Sequence, residues 1–371
     1  MMTQRILIGT VALVAVMTAP LPAASPPLGL PAVPVPAGNP QTPEKIALGK
    51  RLYEEKRFSG DGTVACSTCH DPVKAFGDGL AVAEGIGKQK GTRNSPTVIN
   101  AAYYTTQFWD GRRPSLEEQA KDPFLNSIEH GLKSHAPILA TIRSDTTYPA
   151  EFKKVFGVAP EAITIDHVVK AIAAFERTVV AGDSPFDRYL FGGDKGAMSA
   201  AAVRGLEIYR VKGRCQDCHT IGQTESTFTD NKFHNLGVGF NRIEGKFMPI
   251  ATAFRKAKEA GKNVDESVLT SQEASELGRF AVTLKPADIG AFKTPTLRNV
   301  AVTAPYMHDG SLKTLEEVVE LYDKGGEKNP LLDSGIRQLN LTPQEKADLV
   351  EFMKALTSPQ FAQKSAPAGK E

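Results

Sequence analysis

Cys66-Ser67-Thr68-Cys69-His70, echoed further along by Cys215-Gln216-Asp217-Cys218-His219, decides how the rest of this chain is read. All four cysteines lie in these two strings. In Cys-x-x-Cys-His the two thiols can add to the two vinyl groups of one haem, and the adjoining imidazole is left beneath the iron as its proximal ligand. A four-thiolate zinc site or a pair of disulfides would use the same cysteines. Neither requires a histidine directly after each pair. The expectation is two covalently bound c-type haems, one on Cys66, Cys69 and His70 and one on Cys215, Cys218 and His219.

Each motif has a similar approach. Thr42 followed by Pro43 is a helix start, and Ile46, Leu48, Leu52 and Tyr53 carry the helix toward a glycine-containing loop and Cys66. A second helical pattern begins at Ala200 and reaches Tyr209, six residues before Cys215. Gly49-Lys50-Arg51-Leu52-Tyr53 matches Gly205-Leu206-Glu207-Ile208-Tyr209 by residue type, which argues for a duplicated haem-binding unit. Val168, Val169, Ile172, Phe175 and Val179 have the spacing of a helix over 165–180 that closes the first unit. The Gly- and Asp-rich residues 182–196 read as a link between domains. Thr342-Pro343-Gln344-Glu345 is a capping box, and Leu349, Phe352, Met353 and Leu356 form the stripe of a closing helix. Residues 76–94 and 220–247 show little periodicity and read as loops wrapped on haem. The fold expected is mostly α, with two cytochrome c-like domains at 42–194 and 195–358 and a flexible tail at 359–371.

The start of the chain carries an address. Arg5, the apolar run 6–16 and the small residues Ala23, Ala24 and Ser25 have the layout of a secretory signal peptide over 1–25. An uncleaved anchor is the other reading of that segment, although the run is short for a bilayer. Residues 26–41 form a proline-rich leader. No later stretch resembles a membrane helix, so no membrane insertion is expected once the signal is removed. Export together with covalent haem points to the periplasm. Over 371 residues the formal net charge is only +2, with both signs interspersed. That balance does not suggest nucleic-acid binding.

Three further stretches accompany the two motifs in a fixed order. They are Gly91-Thr92-Arg93-Asn94-Ser95-Pro96-Thr97; Phe108-Trp109-Asp110-Gly111-Arg112 with Leu116-Glu117-Glu118-Gln119; and Thr294-Pro295-Thr296-Leu297-Arg298-Asn299 leading to Thr303-Ala304-Pro305-Tyr306-Met307-His308-Asp309-Gly310. As a set they resemble the bacterial di-haem cytochrome c peroxidase and MauG family, over about residues 42–356. The resemblance implies a peroxidatic haem in the N-terminal domain and an electron-transferring haem in the C-terminal one. It implies that Trp109, the only tryptophan in the chain, lies between the haems and couples them. Read alone, Trp109 would be a core indole. Gln119 and Glu129 stand at the family's offsets for the distal glutamine and the catalytic glutamate, and Pro123 would shape the same pocket. A carboxylate in a haem pocket can move a proton between the two oxygens of a peroxide. Read alone, Glu129 would be a surface charge. Asn94, Thr303 and Pro305 match the positions that hold a calcium ion between the domains, and oxygen donors suit that ion. Asn94 would otherwise cap a loop. His308 is read as lying near a haem propionate.

Two departures from the peroxidase pattern bear on mechanism. Family members that need prior reduction carry a histidine in the loop before Asn94, where this chain has Ile86. No histidine lies between His70 and His130, so the first iron is expected to be open at rest. The methionine that ligates the second haem is replaced by Tyr322, as in MauG. A phenolate is a harder, anionic donor and would lower that haem's potential. The alternative is that Tyr322 only packs and that Met248 or Met307 is the ligand. A third difference is from MauG itself, whose hole-relaying tryptophan matches Gly213 here.

The function expected is a periplasmic peroxidase that reduces hydrogen peroxide with electrons from a small c-type cytochrome or a cupredoxin; family members often form homodimers, and the sequence leaves that open here. A MauG-like oxidase acting on a protein side chain is the second reading. A non-enzymatic di-haem electron carrier is the third.

Overall fold

The computed structural model describes residues 25–362. The signal-peptide reading therefore falls, apart from Ser25, outside the described residues, as do residues 363–371 of the tail. The described chain is mostly helical, as expected, with long irregular segments between helices. Among the described residues the one sheet pairs Phe233–His234 with Phe292–Lys293, antiparallel, with Phe233 opposite Lys293. No described helix is long and apolar enough to cross a membrane.

Two helix crossings organise the chain. Thr42 caps the Pro43–Tyr53 helix through Lys45 N, and that helix packs on Ile165–Glu176. Thr342 caps Pro343–Lys354 with Glu345 in the predicted box, and that helix packs on Ala200–Arg210. Both crossings need a glycine. A methyl group on Gly49 would fall on the Ala171 carbonyl, and one on Gly205 would fall on the Asp348 carbonyl. The missing side chain lets the backbones touch, which brings the next aromatic residue into register with its partner helix. Tyr53 packs on Phe175 with centroids 5.1 Å apart, and Tyr209 on Phe352 at 4.9 Å.

Apolar side chains gather in three clusters. One lies around Pro43–Tyr53, Tyr148–Phe156 and Ile165–Glu176. A second lies around Ala200–Arg210, Leu315–Asp323 and Pro343–Lys354. The third, built on Phe240, Phe254, Val268, Leu277 and Phe280, was not anticipated from the sequence. It includes the 13-residue Phe247–Glu259 helix, which buries Ala251 and Phe254.

Three segments differ from their expected looseness. Residues 182–196 contain the Pro185–Leu190 helix, whose Asp187 makes a bidentate pair with Arg298 at 2.7 and 2.8 Å. Both residues are at most 1% exposed. The same guanidinium donates to Gly29 O and Ser226 O, and Tyr103 Oη donates to Pro31 O. The proline-rich leader is thus docked around Gly29 to Pro31, while residues 34–38 stay exposed. Phe361 is buried in the first cluster, and Gln360 reaches Val180 O, so the tail is packed at least to Ala362. Long-range partners hold all three segments, and local composition does not reveal such partners.

The crossings set a stability test. Gly205→Ala must push the Pro343–Lys354 backbone away and is expected to cost about 3 kcal/mol or more by overpacking. Denaturant unfolding of the haem-loaded protein measures it, and a loss below about 0.5 kcal/mol would contradict the crossing described.

Candidate functional site

The two motifs sit at the ends of these crossings. Cys66–Cys69 is a single helical turn, and Cys215–Asp217 is its 3-10 counterpart. Tyr53 Oη donates to His70 O at 3.0 Å, and Tyr209 Oη donates to His219 O. Each tyrosine therefore fixes the main chain of the histidine that follows its cysteine pair. His219 Nδ1 lies 3.1 Å from Phe228 O and 3.0 Å from Pro295 O. A proton on Nδ1 satisfies these carbonyls and leaves the Nε2 lone pair to a metal. His70 faces the matching pair, Phe76 and Pro96, although its buried Nδ1 completes no hydrogen bond. Burial lowers the pKa of both imidazoles, which favours the neutral, ligating form.

The donor set fits haem attachment. All four cysteines are unpaired. Burial pushes the Cys69 and Cys215 thiols up to about 12 and Cys66 higher still. Two free cysteines directly followed by a histidine, at each of two places, suit thioether attachment of one haem per motif. Cys218, Asp230 and His234 place ligand atoms within 4.8 Å of one another. His234 is bonded to Asp230 and Asp333 at 3.0 and 2.7 Å.

The segments after the motifs repeat in backbone detail. Asn100 and Asn299 take left-handed φ of 64° and 63°, each opening a 3-10 turn. Phe108 and Met307 do so at 67° and 73°, and Gln107–Arg113 and Tyr306–Leu312 form matching bridges. Ser115 and Thr314 then cap the next helices. In this register Trp109 corresponds to His308, and Pro123 to Tyr322. The duplication read at Gly49 and Gly205 therefore extends well beyond the lead helices.

Trp109 is held between the two copies. Its Nε1 donates to Asn94 O at 3.0 Å, Asn94 N donates to His308 O at 2.8 Å, and Lys293 N donates to Trp109 O at 2.8 Å. Beside it, against a burial that alone would raise its pKa, Asp110 is held far below the carboxylate range by Arg112 and Arg93. His308 Nε2 meets Glu276 Oε2 at 2.8 Å and the ring stacks on Phe292 at 3.7 Å. Glu276 also pairs with Arg242 at 2.6 Å. The sequence carries no local signal for Glu276 or Arg242. Asn94 Nδ2 donates to Leu80 O, and the Asn94–His308 bond ties it to the loop that bears Thr303 and Pro305.

Glu129 lies on a tight turn. Asn126 Nδ2 donates to Glu129 Oε1 at 2.6 Å, Asn126 Oδ1 accepts from Ile128 N, and Gly131 N returns to Asn126 O. Pro123 O accepts from His130 N. Loops on either side of the first motif clamp this turn. Gly60 N donates to His130 O and His130 Nδ1 bonds Phe58 O. From the other side Ile86 N donates to Ile128 O and Glu129 O at 3.0 and 3.1 Å. Burial holds the Glu129 carboxyl above the usual glutamate range, against the pull of Arg112 and Asn126. Gln119 ends the Leu116–Gln119 helix, a short step before the Asp122–Leu125 helix that carries Pro123.

At the second motif Tyr322 closes the Leu315–Asp323 helix near its C-terminus. Burial raises its phenol pKa, and Cys215 and Cys218 are close enough to raise it further. Met248 is 48% exposed on the Phe247–Glu259 helix. Gly213 donates to Ile208 O, and a Cβ there would lie 3.1 Å from Cys215 Sγ.

Comparison with known proteins gives consistent results. A family model described as di-haem cytochrome c peroxidase matches residues 43–195. A cytochrome-c peroxidase of Denitromonas iodatirespirans is 41% identical over 90% of this chain and 86% of its own. The methylamine utilization protein MauG of Methylorubrum extorquens is 37% identical over 87% and 81%. The crystal structure of a MauG-like protein associated with microbial copper homeostasis has a TM-score of 0.73 and 32% identity, covering 94% of this chain and 98% of that one.

The clamp on Glu129 generates a double-mutant test. Gly131 has φ +70°, and a methyl there would strike Ile86 Cδ1. Gly131→Ala is expected to destabilise the native protein by about 1–3 kcal/mol through overpacking and left-handed strain. In an Ile86→Ala background the steric part should vanish, giving a coupling of about 1 kcal/mol in denaturant unfolding. Strict additivity would contradict the contact.

Proposed function

Because this chain belongs to the di-haem cytochrome c peroxidase and MauG family, we propose that it reduces hydrogen peroxide to water in the periplasm. Its electron donor is a small c-type cytochrome or a cupredoxin. When bound through the two Cys-x-x-Cys-His motifs, the haems supply an iron that takes peroxide at the first site and an electron store at the second. Each peroxide consumes two electrons and two protons to give two waters.

The protein's own groups provide the rest. Glu129 accepts a proton from one peroxide oxygen and returns it to the other, the leaving one. Asn126 fixes one carboxyl oxygen of Glu129, leaving the other for peroxide. Gln119 and Pro123 border the same pocket. Ile86 carries no ligating atom, which would leave the first iron accessible to peroxide. Trp109, hydrogen-bonded to Asn94 between the copies, serves as the conduit for electrons. Tyr322 and His219 would hold the second iron. Asn94, Thr303 and Pro305 would hold a calcium ion through oxygen donors. The observation that carries this reading is the Glu129 turn, a half-buried glutamate clamped by the loops that flank the first motif.

A MauG-like oxidase acting on a protein side chain is the second reading. Tyr322 beside the second motif and the MauG-like solved relative favour it. Gly213, in the place of the relaying tryptophan, counts against it.

Glu129→Gln tests the proposal. Peroxide-dependent oxidation of a reduced small c-type cytochrome should fall by roughly 10²–10⁴-fold. In the wild type the rate should fall as pH drops through the raised Glu129 pKa, because the base form is needed. That acid limb should disappear from the residual activity of the variant. Undiminished turnover in Glu129→Gln would overturn the assignment.

A further inference from the structure

The two haem-attachment units repeat one helix crossing, and at one buried position within it they differ in kind. Gly49, Ala171, Tyr53 and Phe175 in the first unit match Gly205, Asp348, Tyr209 and Phe352 in the second. Both tyrosines reach the carbonyl of the histidine in their motif. The residue after the phenylalanine is Glu176 in one copy and Met353 in the other, each 6% exposed. Met353 joins the apolar cluster around it. Glu176 has no comparable fit: its Oε2 is buried without a hydrogen-bond partner.

A buried carboxylate with no donor is costly, so its ionised form needs a positive charge nearby, which a ferric haem would supply and a ferrous one would not. Burial pushes its pKa up to about 8, with Arg177 opposing and Glu117 adding to the rise. The neighbouring Glu117 is itself committed to Arg177 at 2.8 Å and to Asn39. From the facing elements Tyr53 and Cys66 both feel the Glu176 charge. The carboxyl therefore lies in electrostatic reach of the first haem attachment, with no fixed cation dedicated to it.

We propose that Glu176 is a proton-binding site coupled to the oxidation state of the first haem. When that iron gains one electron, passing from ferric to ferrous, the Glu176 carboxylate takes one proton from solvent. When the electron leaves, the proton is released. Charge added inside a low-dielectric interior favours a compensating proton nearby. The second unit, with a thioether at this position, has no such response. A site whose chemistry consumes protons with its electrons thus carries a proton acceptor that its electron-relaying partner lacks. The inference rests on haem attachment at Cys66, Cys69 and His70 and not on peroxide turnover.

Redox-difference infrared spectroscopy of the haem-loaded protein tests it, together with the first-haem potential measured against pH. The wild type should show a carboxylic-acid C=O band that changes on reduction. Its reduction equilibrium should shift by up to about tenfold per pH unit within the window where Glu176 titrates. Glu176→Gln and Glu176→Met should lose both the band and the pH slope, with the second haem unchanged. Glu176→Met places at this position the residue that the second unit already buries there. Retention of band and slope in either folded variant would overturn the proposal. Neither readout involves peroxide, so a protein that keeps the slope but ignores peroxide would sink only the peroxidase reading.

Discussion

Two helices can lie backbone to backbone only where one of them has no side chain, and this chain meets that condition twice, at Gly49 and Gly205. The consequences run in sequence order. Four residues on, a tyrosine packs on the partner helix and turns its hydroxyl to the carbonyl of a motif histidine. That contact fixes the histidine through its main chain, while backbone carbonyls meet or face its Nδ1. Cysteine pair, imidazole and helix crossing are thus one unit, used twice.

Function then depends on where the copies stop matching. The backbone from Asn100 to Ser115 is reproduced from Asn299 to Thr314, in φ, bridge and cap. The side chains are not. Trp109 stands against His308, which places an indole at the junction from one copy and a carboxylate-bound imidazole from the other. Further along, Tyr322 takes the place of Pro123, and the Glu129 turn belongs to the first copy alone. On the proposed reading, duplication supplies two similar metal cradles, and these few substitutions make one an open reactive site and the other a closed relay.

Much of this was legible in the sequence because its signals are local. The cysteine–histidine spacing, the Thr42 and Thr342 caps and the Gly–Tyr approach each act over a few residues. The ordered set of motifs carried the family likeness, which the relatives support. What escaped notice depends on partners far along the chain. The Asp187–Arg298 pair, with Gly29 gathered onto the same guanidinium, turns an apparent link and leader into packed structure. Phe361 does the same for the start of the tail. Glu276 and Glu176 carry no local signal, since a one-dimensional pattern does not tell a solvated carboxyl from a buried one.

On the proposed reading, two irons sit in near-identical cradles, the first open on the Glu129 side and the second closed by His219 and Tyr322. Electron paramagnetic resonance of the oxidised, haem-loaded protein tests it most directly. The account predicts one high-spin ferric signal from the first haem and one low-spin signal from the second. Two low-spin signals, with no high-spin component, would contradict it.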